Sequence, residues 1–145
     1  MKLELDVHEF QAMIKLAQED RSQLFALMRC DVQSMVGDYF ERLMNHELYE
    51  FLGRDRYERT EEVSNNHRNG SYSRKFTLKG LGEIEVKVPR DRKGLFQTDV
   101  LPKAKRYESA IADDLSMLFL SGTSTRSLSM ISKRLIGRKI SHTEI

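Results

Sequence analysis

Tyr72-Ser73-Arg74-Lys75-Phe76-Thr77-Leu78-Lys79-Gly80-Leu81-Gly82-Glu83-Ile84-Glu85-Val86-Lys87-Val88-Pro89 is the stretch that decides the fold. Tyr72, Arg74, Phe76 and Leu78 alternate with Ser73, Lys75 and Thr77, and Ile84, Val86 and Val88 alternate with Glu83, Glu85 and Lys87. A period of two is the signature of a half-buried strand. Two such runs around Lys79-Gly80-Leu81-Gly82 predict a β-hairpin with a four-residue connection. Pro89 is expected to end the second strand, because it has no N–H for the ladder. A lone hairpin is marginal in water, so Phe76, Ile84 and Val86 need a third strand or a helix to cover them.

Helical periods flank the hairpin on both sides. Val7, Phe10, Ile14 and Ala17 form one stripe, with Asp6 placed to cap it. Asp20 or Ser22 opens a longer pattern, Leu24, Leu27, Met28, Val32, Met35, Tyr39 and Leu43, in steps of three and four. Gly37 interrupts it at modest cost. Cys30 lies in this apolar stretch and reads as a small core residue. A separate short helix is expected near 47–52, closed by Gly53. Residues 54–71 are polar and punctuated by Asn65-Asn66 and Asn69-Gly70, so they read as a long loop. Beyond the hairpin, 90–106 is basic and extended, with the apolar island Leu95-Phe96. Ile111, Leu115 and Leu118 then share a helix face that ends at Gly122. Ser124 caps the next helix, with Leu128, Ile131 and Leu135 expected inward and Gly137 at its end. Ser141 followed by Glu144 fits a capping box opening a third helix. The expected fold is α+β and mostly helical: amino-terminal helices in 1–53, a linker, basic β-hairpin and extended segment in 54–106, and an incomplete helix-turn-helix in 107–145.

The net charge of +2 conceals a division: −6 over 1–66, +7 over 67–106 and +1 over 107–145. A concentrated positive middle attracts polyanions of any sequence by neutralising phosphates. The plainer reading is a solvated basic loop, but a helix-turn-helix pattern directly after it favours nucleic acid. The candidate DNA-binding residues beside the hairpin are Arg68, Arg74, Lys75, Arg90, Arg92, Lys93, Lys103, Lys105 and Arg106. In the helix pair they are Arg126, Lys133, Arg134, Arg138 and Lys139.

Other chemistry finds little support. The single cysteine excludes an internal disulfide and suits a reducing compartment. His8, His46, His67 and His142 are scattered without partners at metal-ligand spacing, so no zinc site is expected. Gly80-Leu81-Gly82 resembles the start of a dinucleotide fingerprint, but it lacks the third glycine and lies between strands. Asp113-Asp114 and Glu61-Glu62 are sequence neighbours that diverge on a helix, a poor arrangement for acid–base or metal work. The apolar runs 24–28 and 117–120 are far too short to span a bilayer, and no signal peptide opens the chain. A cytoplasmic protein is expected.

From Glu50 onward the chain resembles mutator-type transposases of bacterial insertion sequences. The words that carry the resemblance are Leu52-Gly53-Arg54-Asp55-Arg56-Tyr57-Glu58-Arg59 and His67-Arg68-Asn69-Gly70-Ser71-Tyr72. Leu81-Gly82-Glu83-Ile84-Glu85-Val86-Lys87-Val88-Pro89-Arg90-Asp91-Arg92, Gly94-Leu95-Phe96, Pro102-Lys103 and Ser121-Gly122-Thr123-Ser124-Thr125-Arg126 follow in the same order. The resemblance implies a recombinase whose three acidic residues hold two Mg²⁺ ions in a ribonuclease-H-like domain downstream of the matched region. No carboxylate here matches a catalytic one, so no cofactor and no activity are expected of these residues alone. What the resemblance carries over is binding of double-stranded DNA, the terminal inverted repeats of the element. That role falls on the helix-turn-helix group and, beside it, on the 68–72 and 89–93 segments. The chain then reads as a transposase fragment cut short before its catalytic domain. Two other readings stay open: a stand-alone DNA-binding regulator, and a module that pairs through its amino-terminal helices, as a homodimer or with a full-length transposase that it inhibits.

Overall fold

The computed structural model describes residues 6–53 and 66–141. Its elements are α1 (Val7–Glu19), α2 (Arg21–Leu52), β1 (Arg68–Leu78), β2 (Gly82–Asp91), α3 (Ser109–Leu120) and α4 (Thr125–Ile136). The fold is α+β and mostly helical, with one antiparallel hairpin. The chain divides into two compact units, Met1–Val32 and Gln33–Ile145, and the division falls inside α2.

In the first unit, Asp6 caps α1 as expected. Its carboxylate accepts the Val7 N–H at 2.6 Å, while the Glu9 carboxylate accepts the Asp6 N–H at 2.8 Å, completing a capping box. Asp20 opens α2 by accepting the Ser22 N–H at 2.9 Å. The Ser22 hydroxyl and N–H hold the Asp20 carboxyl below its ordinary range. None of the described residues of this unit is buried. Cys30 is exposed, which corrects its reading as a core residue: no described residue of this unit forms a buried core for it to join.

The second unit is built on the hairpin. Phe76 pairs with Ile84, Arg74 with Val86 and Tyr72 with Val88, so these residues share one face. Phe76, Ile84, Val86 and Val88 are buried there with Met44 of α2 and Leu101, and Val36, Phe40 and Tyr72 pack around them. The cover is thus a helix. The stripe expected on α2 is not the one that faces the hairpin, since Tyr39 and Leu43 are exposed while Met44 and Leu48 are buried. Gly37 explains the offset. A Cβ on Gly37 would lie 2.6 Å from the Glu85 carbonyl oxygen, so the helix meets the strand where it has no side chain. The Gln33 amide then donates to the Leu81 carbonyl at 2.8 Å. The short helix expected near 47–52 is the last part of α2, which ends at Gly53 with φ +65°.

The hairpin also departs from expectation at its ends. β1 begins at Arg68, inside the expected loop, and its register shifts between Arg68 and Ser71. Pro89 does not terminate β2. It lies opposite Ser71 at this irregularity, where a missing ladder donor is tolerated. Leu78 pairs with Gly82, so the connection is three residues, Lys79, Gly80 and Leu81.

A second core joins α3 and α4: Ile111, Leu115, Leu128, Ile136 and Ile140 are buried, with Tyr107 and Leu118 beside them. Ser124 caps α4 by accepting the Ser127 N–H at 3.2 Å. The inward face of α4 is Leu128, Ser129, Ser132 and Ile136. Leu135, expected inward, is 71% exposed, and Ile131 is only half-buried. Two serines can line this face because Ser132 has hydrogen-bond partners: its hydroxyl donates to the Ser129 carbonyl at 3.0 Å and accepts the Ile140 N–H at 3.0 Å. Ile140, past the left-handed Gly137, is thereby folded back onto the helix pair. The third helix expected from Ser141 lies outside the described residues. Among the described residues, no helix is long and apolar enough to cross a membrane.

Candidate nucleic-acid interface

The basic middle of the chain divides by what each cation touches. Arg74 shares the hairpin's core face, at its margin, and its guanidinium reaches across to main-chain oxygens. Nη1 donates to the Leu101 and Pro102 carbonyls at 3.3 Å each, and Nη2 donates to the Lys105 carbonyl. This clasp folds the 101–106 segment against β1. Beside it, the Thr77 N–H donates to the Arg106 carbonyl at 3.0 Å and the Glu108 N–H to the Thr77 carbonyl at 2.9 Å, a short parallel bridge around Tyr107. Lys79 adds an ion pair to Asp114 at 2.7 Å, which raises its pKa, and its N–H donates to Glu108 at 2.9 Å. The hairpin is in this way tied to the start of α3.

The result is an open basic groove. Arg74 and Lys75 of β1, Lys103 and Arg106 of the extended segment, and Arg138 after α4 line it together with Tyr72, Thr77 and Glu83. Five of the fourteen candidate cations, separated by up to 64 positions in the chain, are therefore neighbours. Arg138 stacks over the Tyr107 ring at 5.7 Å. Lys75 pairs with Glu83 at 2.7 Å; that hydrogen bond and the charge of Glu83 raise its pKa, so it remains a cation. Tyr72 and Lys103 also line an adjoining groove with Arg90, whose guanidinium lies 5.9 Å from the Tyr72 ring centre. Arg92 and Lys93 stand exposed just beyond it. Arginine forks and lysine ammonium groups in such a row can each take a phosphate oxygen.

The remaining candidates lie elsewhere. Arg68 lines a different groove with Glu41, His46 and Tyr49, and its Nη1 donates to Asn45 at 3.4 Å. Lys105 is exposed and its ammonium donates to Ser109 at 3.1 Å. Arg126, Lys133, Arg134 and Lys139 are exposed on α4 and just after it, and do not line the basic groove.

Two structural features of the candidate site escaped the sequence reading. Tyr72 and Tyr107 carry the stacked arginines; Tyr72 at a core-face position of the alternation was a usable signal. Asp91 is the other. It is 4% exposed and accepts the Asn66 amide at 2.8 Å, the Leu95 N–H at 3.0 Å and the Phe96 N–H at 3.2 Å. Burial pushes its carboxyl up, but these three hydrogen bonds outweigh burial and hold the pKa below the ordinary value. Nothing in the residue's type or spacing announces this role.

A helix-covered hairpin tied to a helix pair, with a basic groove between them, is an architecture suited to polyanions. Residues 8–145 match the family described as transposase, Mutator family. The chain is 38% identical over 102 residues to the transposase for insertion sequence element IS256 in transposon Tn4001 of Staphylococcus aureus, covering 70% of this chain and 26% of that protein. It is 31% identical over 139 residues to the transposase for IS1201 of Lactobacillus helveticus, covering 96% of this chain and 36% of the relative. A third relative, the transposase for IS905 of Lactococcus lactis, is 34% identical over 125 residues, covering 83% of this chain and 32% of the relative. The chain therefore belongs to the Mutator family of transposases. It spans about a quarter to a third of the length of these relatives.

Proposed function

We propose that this chain is the DNA-binding portion of a Mutator-family transposase, acting in the cytoplasm on the terminal inverted repeats of an insertion element. Strand cleavage and joining, with the Mg²⁺ they require, fall to residues other than these. The observation that supports the reading is the gathering of Lys75, Lys103, Arg106 and Arg138 into one groove from distant parts of the chain, with Arg74 holding the 101–106 segment in place. Part of the basic charge of the middle segment thereby lines one groove instead of being scattered over a solvated loop.

The test is gel retardation of duplex DNA by the purified chain across a salt series. Four phosphates neutralised in the groove contribute about −4 to the log–log salt slope. Lys103→Ala with Arg106→Ala is expected to weaken binding to all sequences alike and to flatten that slope by about 2. Absence of retardation at low salt removes the proposal.

A second reading concerns the first unit. Phe10, Ile14, Phe25, Met28 and Val32 are all exposed. An amphipathic helix of 13 residues such as α1 is marginal without an apolar partner. A homodimer through these helices supplies one. Analytical ultracentrifugation of Phe10→Glu, Met28→Glu is expected to show a lower mass than the parent chain; equal sedimentation rejects the dimer.

A further inference from the structure

The loop that follows β2 is held by nearly every N–H it possesses. The Arg92 N–H donates to the His67 carbonyl at 2.7 Å and the Lys93 N–H to the Asn66 side-chain oxygen at 3.2 Å. The Leu95 and Phe96 N–H groups donate to the Asp91 carboxylate. Gly94 supplies the left-handed turn at φ +68°, and Phe96 anchors the far side on the Phe51 ring, with centroids 5.6 Å apart. Just past the turn of this braced loop stands Leu95, 64% exposed. A loop constrained in this way presents the apolar side chain rather than exposing it through fraying.

The surroundings of Leu95 indicate what it meets. Arg90, Arg92 and Lys93 are exposed beside it, and the one carboxylate of the loop, Asp91, is buried and turned inward. The loop also adjoins the basic groove, because Tyr72 and Lys103 line both that groove and the one containing Arg90 and Gly94, whose far side carries the exposed Asp99. A phosphate backbone lying along the first is led to the second. Duplex DNA offers both kinds of surface this loop requires: phosphates for the cations, and an apolar stack that a side chain reaches by parting two base pairs. Apolar wedges of this kind act from the minor groove, which is too narrow for a helix but admits a loop tip.

We propose that residues 90–96 are a DNA wedge, in which Arg92 and Lys93 grip phosphates across a minor groove and Leu95 presses into a base step and kinks it. The proposal rests on the DNA-binding reading and goes beyond it, since binding along the groove requires no unstacking.

The full chain is titrated onto a short duplex with central TpA steps, the steps most readily unstacked. One adenine there is replaced by 2-aminopurine, whose fluorescence rises when it leaves the stack. The expected result is a several-fold rise at saturation, lost in Leu95→Ser while retardation of the same duplex persists. Arg92→Ala with Lys93→Ala is expected to reduce the salt slope by about 2. Leu95 is exposed, so its replacement leaves the fold intact, and circular dichroism verifies this. Saturated retardation with flat fluorescence overturns the wedge and leaves the DNA-binding reading standing. A full rise in Leu95→Ser also overturns it. No retardation overturns both.

Discussion

Gly37 and Asp91 show how single residues position the candidate site. Replacing an exposed glycine in a helix by alanine ordinarily gains roughly 0.5–1 kcal/mol. At Gly37 the sign reverses, because the new Cβ meets the Glu85 carbonyl at 2.6 Å and the helix must move off the strand. Gly37→Ala is expected to destabilise the chain by about 1–3 kcal/mol in urea unfolding, the usual cost of overpacking. Asp91 carries a pH dependence. Its folded pKa is depressed, so it stabilises the fold fully above the unfolded-chain value of about 3.9, and that contribution is lost as pH falls through the lower folded value. Asp91→Asn is expected to lose about 1–3 kcal/mol at pH 7, the worth of hydrogen bonds to a charged group. The difference between variant and parent is expected to shrink as the pH falls below the unfolded-chain value and through the lower folded one, as followed by urea unfolding across that range.

At the scale of elements, the period of two was legible and the choice of helix face was not. Alternation in β1 and β2 follows from one strand's own geometry, so the core-facing residues Phe76, Ile84, Val86 and Val88 could be read directly, but their register could not, since the connection has three residues and not four. Which stripe of a helix turns inward depends on what it packs against. On α2 the decision belongs to the Gly37 contact with β2, which no local pattern encodes. On α4 it belongs to a pair of serines that ordinary hydropathy places outside; Ser132 is buried because it serves the Ile140 N–H. The consequence can be checked on adjacent residues of α4. Ile136→Ala is expected to cost about 2–4 kcal/mol in urea unfolding, and Leu135→Ala to stay within about 0.5 kcal/mol. The sequence reading alone expected the larger loss at Leu135.

For the whole molecule, the basic middle segment was visible as a charge imbalance, but the groove was not, because Arg138 arrives from beyond α4 and Arg74 sits on the side of the hairpin that faces the core. Charge counting also overstates what is offered to a ligand: Arg74 is spent on main-chain carbonyls and Lys79 on Asp114. The clasp made by Arg74 has a further effect. Lys103, Lys105 and Arg106 are exposed, and each precedes a peptide bond that trypsin accepts. A protease must draw such a segment into extended form before cutting it, and here the backbone oxygens at 101, 102 and 105 are stitched to a neighbouring strand. This basic, exposed segment is thus shielded from digestion by one arginine it does not itself contain.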